Sequence, residues 1–192
     1  MDLPAKALVS FCALLAAALA TLAAVALIAA PNAGAAKSCA SASRPAAALS
    51  PAAENKALLC SINLVRAQNS VPPVRTSSVL RGTALTHSLL MVATGCFDHE
   101  CPGEPSLFLR LRDAGYPPCG CRWSASENIA YGAGTHSAPA AVVGAWMDSP
   151  DHRAAMLNEK LRFVGIGIAT GSPGAALDLS SATYTIDLGS DG

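Results

Sequence analysis

The spacing of apolar positions changes along the chain. In several segments between residues 50 and 158, apolar side chains recur every three to four residues, which predicts helices with one buried face. Beyond residue 160 the spacing changes to the alternation that is typical of strands. Helices first and strands late favour an α+β domain in which helices cover an antiparallel sheet, as in an α/β/α layered arrangement.

Five helices are expected, and residues that cap or interrupt helices mark their ends. Serine at the N-cap accepts a hydrogen bond from a free backbone N–H, proline suits the first helical turn, and glycine ends a helix. The predicted helices are Ser50 to Gln68, Ser77 to Thr94, Ser106 to Gly115, Ala138 to Met147, and a last one that starts at Ser149.

Two late segments, 163–169 and 183–188, are predicted to be strands because they are rich in β-branched residues. In the first, Gly165 and Gly167 alternate with larger side chains. Glycines on one face of a strand allow another element to approach closely. We therefore expect another element of the fold to approach that face closely.

The N-terminal region does not look like part of the domain. Lys6 precedes an apolar run over 7–30, and small residues follow, as in a secretory signal. The run exceeds the roughly 7–15 residues of an ordinary signal core and approaches the ~20 that span a bilayer, so an uncleaved membrane anchor is the alternative. We predict a signal peptide or anchor at 1–36, a linker at 37–51 and one domain at 52–190. The protein would be secreted or held in the cell envelope, with a membrane partner only if the anchor stays.

The charge of the chain is balanced. There are 13 basic and 13 acidic residues, and removal of 1–36 takes away Lys6 and Asp2, which leaves 12 of each. A neutral chain gives no electrostatic reason to expect nucleic acid as a partner.

The cysteines predict disulfides. Cys12 lies in the signal, and an even number remains in a chain that is expected to be exported. Six cysteines allow 15 pairings. Our first expectation is Cys39 with Cys60, which would tie the N-terminal segment to the first helix. The alternative of a zinc site is disfavoured because no C-x-x-C pair is present. The other four are expected to pair among themselves: Cys96, Cys101, Cys119 and Cys121.

Four polar residues are candidates for chemistry. His99 lies in a predicted loop, Glu127 in a loop of small residues, and His152 in the first turn of the helix opened by Pro150, with Asp148 just before that turn. Two imidazoles and one or two carboxylates are suitable ligands for Zn²⁺ or a similar divalent cation. The alternative is a histidine that acts as general base beside an orienting carboxylate.

Motifs of several enzyme classes are absent from the sequence. There is no H-E-x-x-H metalloprotease motif, no G-x-S-x-G nucleophile elbow and no glycine-rich phosphate loop after a strand. His87 lies beside the apolar rows of the second helix. We interpret it as a buried histidine that is hydrogen-bonded within the core.

Several segments together resemble the CAP superfamily, the SCP/TAPS or pathogenesis-related-1-like domain. Residues 126–130 (S-E-N-I-A) resemble its G-E-N-[LI]-A motif. Residues 146–153 (W-M-D-S-P-D-H-R) resemble its bacterial W-M-x-S-P-x-H-R motif. The remaining matches are the L-x-x-[IL]-N-x-x-R helix at 59–66, A-x-x-H-S-x-x-M at 84–91, F-x-H at 97–99 and V-G-[VI]-G at 164–167.

The resemblance implies a three-layer α/β/α sandwich with a central antiparallel sheet and a large cleft. In the family, two histidines and two acids line this cleft and bind divalent cations such as zinc. His99 and His152 match the histidines, and Glu127 matches the first acid. In animal members the second acid is a glutamate near the position of Asp148. Asp148 can take the place of this glutamate, although its side chain is shorter. Two further matched positions are expected to be structural: His87 and Trp146.

Three functions are compatible with this resemblance. The first is a secreted bacterial binding module that holds a divalent cation and takes a lipid, glycan or protein ligand. The second is a metal-dependent hydrolase or protease that uses the same cleft. The third is a structural module of the cell envelope. The sequence assigns no catalytic residue.

Overall fold

A computed structural model describes residues 38–175 and 178–190. The expected signal peptide or anchor at 1–36 lies outside the described residues and stays a prediction. Within the described ranges, no helix is both long enough and apolar enough to cross a membrane.

The helices begin and end close to the predicted positions. The side chain of Ser50 accepts a hydrogen bond from the N–H of Ala53 and that of Ser77 from the N–H of Leu80, while Gly95 ends a helix in the left-handed conformation. Capping depends on a few neighbouring residues, and the sequence therefore predicts it well. The helices are α1 (Pro51–Gln68), α2 (Ser78–Thr94), α3 (Leu107–Asp113), α4 (Pro139–Asp148) and α5 (Pro150–Met156).

The sheet has four strands in the order β1-β3-β4-β2. β4 pairs antiparallel with both β3 and β2, as expected, whereas β1 pairs parallel with β3. The sheet is therefore mixed rather than purely antiparallel. The parallel pair is possible because the long segment between β1 and β3 allows a crossover. The strands are β1 (Arg75–Thr76), β2 (Ala125–Ala133), β3 (Phe163–Thr170) and β4 (Ser181–Gly189).

The predicted three layers are present. Helices α1, α4 and α5 share the main apolar core with one face of the sheet, and α2 covers the other face. Along β4, Tyr184, Ile186 and Leu188 point into the main core. Thr185 and Asp187 alternate with them, and both accept hydrogen bonds from α2. The central strand thus has one apolar face and one polar face, and both are buried.

Two glycines bring α2 close to the sheet, as predicted. A Cβ added at Gly165 would collide with the backbone of Leu80, and one at Gly167 with the backbone of Ala84. The absence of side chains at these positions lets the helix backbone lie directly on β3.

The N-terminal segment differs from the expected linker. In the described residues before α1, Ala42 and Ala46 are buried. The N–H of Ala46 donates to Ser137 Oγ at 3.1 Å, and a short 3₁₀ turn forms at Ala46–Ala48. This segment packs on the domain because its small side chains fit against the α4 side of the molecule.

All six cysteines of the described chain form disulfides. Cys39 bonds to Cys60, as expected, and ties the N-terminal segment to α1. The other four pair among themselves, also as expected: Cys96 with Cys101 and Cys119 with Cys121.

Candidate functional site

Glu127 lies on a strand, not in the predicted loop. It belongs to β2, an edge strand, and stands directly opposite Asp187 of β4. The prediction was wrong because the segment has little intrinsic preference for a strand. Its conformation is imposed by pairing with β4, which is distant in sequence.

A buried carboxylate holds a half-exposed histidine. His99 Nδ1 lies 2.8 Å from Glu127 Oε1, and the His99 side chain is 51% exposed. Arg110 donates to Glu127 Oε2 at 3.0 Å. Because Nδ1 is engaged, Nε2 is the ring nitrogen of His99 that is free to bind a ligand.

These contacts shift the pKa values of both partners. The hydrogen bond with Glu127 raises the pKa of His99 above its usual value. Burial raises the pKa of Glu127, but the hydrogen bond from His99 and the charge of Arg110 lower it more, so the net shift is downward. Glu127 is therefore ionised where His99 is protonated or bound to a cation.

A second acid and a third histidine lie behind this pair. His87 is fully buried on α2, and its Nδ1 lies 2.9 Å from the Glu104 carboxylate. Its Nε2 is 3.8 Å from Glu127. Arg110 also lies 3.4 Å from Glu104, so one guanidinium is shared by two carboxylates. This is the hydrogen-bonded core position that we expected for His87.

Asp187 is the most deeply buried acid of this network. It is fully buried, and Thr83 Oγ1 donates to its Oδ2 at 2.6 Å. Burial raises its pKa well above the usual value, and the neighbouring Glu127 carboxylate raises it further. Of the two facing carboxyl groups, Asp187 is therefore the one that keeps its proton.

His152 reaches the site from the opposite layer. It lies in the first turn of α5, where Ser149 is the N-cap residue but makes no side-chain capping bond. Asn128 Nδ2 donates to the backbone oxygen of His152 at 3.1 Å. The His152 and His99 rings are 6.5 Å apart. Burial and the charge of His99 both lower the pKa of His152.

The structure therefore brings together three of the four candidate ligands. Asp148 lies exposed at the C-terminal end of α4 and makes no hydrogen bond or ion pair with His99, Glu127 or His152. In the described part of the chain, no group of three or more His, Cys, Asp or Glu side chains is arranged to hold a metal ion. The arrangement offers two imidazoles, and Glu127 orients one of them.

Three residues of the network were missed by the sequence analysis: Arg110, Glu104 and Asp187. Arg110 alternates with leucines in a short helix and Glu104 lies in a loop between Gly103 and Pro105, and neither pattern indicates that the two side chains meet. Asp187 did carry a signal, because a lone acid within an otherwise apolar strand is a candidate for an unusual pKa.

The sequence model of the cysteine-rich secretory protein family, CAP, matches residues 59–185. The chain belongs to the CAP family. The matched range includes both histidines of the pair, His99 and His152, together with His87, Arg110 and Glu127, whereas Asp187 lies two residues beyond it.

Among curated proteins, the CAP domain is similar to the uncharacterized protein YkwD of Bacillus subtilis. The two are 31% identical over 121 residues, which cover 62% of this chain and 44% of YkwD. The chain thus spans less than half the length of that relative.

Two solved structures share the fold. One is an extracellular SCP-domain protein of Bacillus anthracis, with a TM-score of 0.57 and 23% identity over 74% of this chain and 44% of the other. The second is an outer surface protein of Borrelia burgdorferi, with a TM-score of 0.60 and 16% identity over 75% of this chain and 97% of the other. At these identities the likeness is one of fold.

Proposed function

We propose that this CAP protein is exported to the bacterial exterior or cell envelope, where it acts as a binding module. In this proposal His99 and His152 hold a divalent cation, such as Zn²⁺, beside the site of a lipid, glycan or protein ligand. The observation that carries the proposal is the convergence of these two imidazoles beside β2. The similarity to proteins described as extracellular or outer surface supports the export.

The donor set fits a cation bound by two histidines. Two imidazoles on one tetrahedral Zn²⁺, with Zn–N distances of about 2.0–2.1 Å, place their ring centroids about 5 Å apart. Because the centroids are 6.5 Å apart, a shared cation would have to draw the two rings about 1.5 Å closer together. Glu127 on Nδ1 of His99 matches the carboxylate that commonly orients a metal-binding histidine. Solvent or the ligand would complete the coordination, and Asp148 stays a candidate for it.

Zinc titration of histidine variants tests the proposal. We expect His99→Ala combined with His152→Ala to abolish saturable zinc binding in calorimetry. Glu127→Gln should weaken binding by about 10–100-fold, since it removes only the orienting charge. His136→Ala, at an exposed histidine of the 3₁₀ turn after β2, is the matched control and should bind like the parent. Unchanged zinc affinity in the double variant would refute the site.

Zinc affinity should depend on pH in a defined direction. A histidine must lose its proton to bind a metal. Because the pKa of His99 is raised, protons should compete with zinc at a higher pH than for an ordinary histidine. We expect affinity to fall as the pH drops below the raised pKa of His99, whereas pH-independent binding would point to other ligands.

A hydrolase is the second candidate, and one observation favours it. A buried, ionised Glu127 that orients the accessible His99 is the arrangement of a general base and its positioning partner. Zinc-dependent turnover of a peptide or ester library that disappears in Glu127→Gln would support catalysis. If protein that is shown to bind zinc gives no turnover at saturating zinc, the hydrolase is excluded and the binding module remains as the proposed function.

A further inference from the structure

A separate pocket lies at the end of the sheet where β2 and β3 begin and β4 ends. The register places Ala125 and Phe163 on either side of Gly189, so these three strand ends are neighbours. The pocket has a volume of about 430 Å³, which is within the range of small-molecule sites. Neither His99 nor His152 lines this pocket.

The pocket is cationic although the chain is neutral. Arg122, Lys160 and Arg162 line it, and Glu159 is the only acidic lining residue in the described part of the chain. Among the described residues, none of the three cations forms an ion pair with an acid. The formal charge of the pocket lining is therefore three positive against one negative, without internal neutralisation.

One buried donor of the lining is unsatisfied, and one hydroxyl hydrogen is available. Arg162 Nε is buried and has no hydrogen-bond partner in the described part of the chain. Two hydroxyl groups, of Ser124 and Ser190, also line the pocket and lie 3.1 Å from each other. Because only one of them can donate to the other, one hydroxyl hydrogen remains available to a ligand.

A buried cation behind the pocket adds to its field. Arg66 is fully buried, and its guanidinium donates only to backbone carbonyls, of Pro72, Met156, Asn158 and Leu161. Burial and the nearby charge of Arg162 lower the pKa of Arg66. Repulsion between the two guanidinium groups is relieved when an anion binds at Arg162.

We propose that this pocket binds the phosphate group of a phosphorylated small molecule. A phosphate dianion has several acceptor oxygens, which suit guanidinium, ammonium and hydroxyl donors that approach from three strand ends. The volume leaves room for an attached group such as glycerol. The site is independent of the proposed metal site, so the zinc experiments can fail without affecting it.

Calorimetric titration of the full chain with inorganic phosphate and with glycerol 3-phosphate, at low ionic strength, tests the proposal. We expect saturable binding of both, and a change in the fluorescence of Trp123, which lines the pocket. Arg122→Gln combined with Lys160→Gln should weaken binding roughly tenfold or more, because two charge-assisted contacts are lost. Glu159→Gln should have the opposite effect and tighten binding.

A matched double variant separates this pocket from general surface charge. Lys56→Gln with Arg81→Gln removes the same two charges from the lining of a different pocket, between α1 and α2, and should leave phosphate affinity unchanged. Equal weakening by both double variants, in proteins with the melting temperature of the parent, would overturn the proposal. So would the absence of saturable binding by the parent at millimolar phosphate.

A further variant, Asp191→Asn, tests the acid that follows Ser190 in the sequence. Asp191 lies outside the described residues, and it is tested because it adjoins the lining residue Ser190 in the sequence. Under the proposal, Asp191→Asn binds phosphate no more than a few-fold more tightly than the parent. Binding that is seen only in Asp191→Asn would show that the chain neutralises its own pocket, and it would overturn the proposal.

Discussion

The two faces of the central sheet are built from different chemistry. On the face of α1, α4 and α5, large apolar side chains interlock, among them Trp146, Ile62 and Ile186, all of them buried. On the face of α2, apolar contacts of Leu80 and Met91 are accompanied by hydrogen bonds, such as those that join Thr83 to Asp187 and Ser88 to Thr185. Both faces exclude water, and both bury ionisable groups. The first face holds Glu54 and Arg66 without an ion pair between them among the described residues, whereas the second gathers His87, Glu127 and Asp187 into one network.

The difference explains where the candidate site lies. An apolar face stabilises the fold through the area that it removes from water. A buried polar face contributes less to stability, but it holds charges in positions that water would otherwise screen. The carboxylate of Glu127 can orient His99 because Arg110 and the buried surroundings keep it in place.

The largest expected effect is on the apolar face. Trp146 is 1% exposed, and its Nε1 donates to the Ile129 carbonyl at 2.9 Å. We expect Trp146→Ala to lower the free energy of unfolding by about 3–5 kcal/mol in urea titrations. Leu89→Ala, on the outer side of α2 where the leucine is 53% exposed, should cost less than about 1 kcal/mol. Similar losses in the two variants would contradict the burial of Trp146 in the apolar core.

The second prediction concerns how closely α2 lies on the sheet. Gly165→Ala puts a methyl group against the Leu80 backbone and should cost about 1–3 kcal/mol, because helix and strand must separate. Gly144→Ala is the matched control. It lies in α4 with no atom within 4 Å of the added group, and it should stabilise the protein by about 0.5–1 kcal/mol. Differential scanning calorimetry should show melting shifts of opposite sign, and shifts of the same sign would disprove the close contact.

The third prediction concerns Asp187, where the effect appears gradually, as a change in stability with each unit of pH. Its pKa is raised in the folded state, so the native protein binds the proton more tightly than the unfolded chain. The stabilisation is complete below the unfolded pKa of about 3.9 and declines with rising pH, by at most about 1.4 kcal/mol per pH unit, until the folded-state pKa is passed. Asp187→Asn should remove this decline.

Unfolding free energies measured between pH 4 and 8 check this prediction. Asp113→Asn makes the same substitution at a surface position whose side chain is 58% exposed, and it should leave the pH dependence unchanged. If the unfolding free energy of Asp187→Asn changes with pH between 4 and 8 as steeply as that of the parent, Asp187 is not the group that retains the proton.

The predictable part of the candidate site was the part carried by local motifs. His99, Glu127 and His152 were identified by their residue types and by the family resemblance, and the structure brings them together. Arg110 and Asp187 were not identified, because Arg110 reaches Glu127 from 17 positions away and Asp187 reaches Thr83 from 104 positions away in the sequence. Contacts between side chains that are distant in sequence leave little trace in the spacing of apolar and polar residues in either segment.

The amino-acid sequence by itself determined the limits of the long helices and the bare glycine face of β3. Ser50, Ser77 and Gly95 act on backbone groups within a few residues, and Gly165 acts through the absence of its own side chain. Only the tertiary structure decided that residues 125–133 form a strand and that a buried arginine is shared by two glutamates. The physical reason is that strand pairing and buried ion pairs are stabilised by partners that the chain brings together only when it folds.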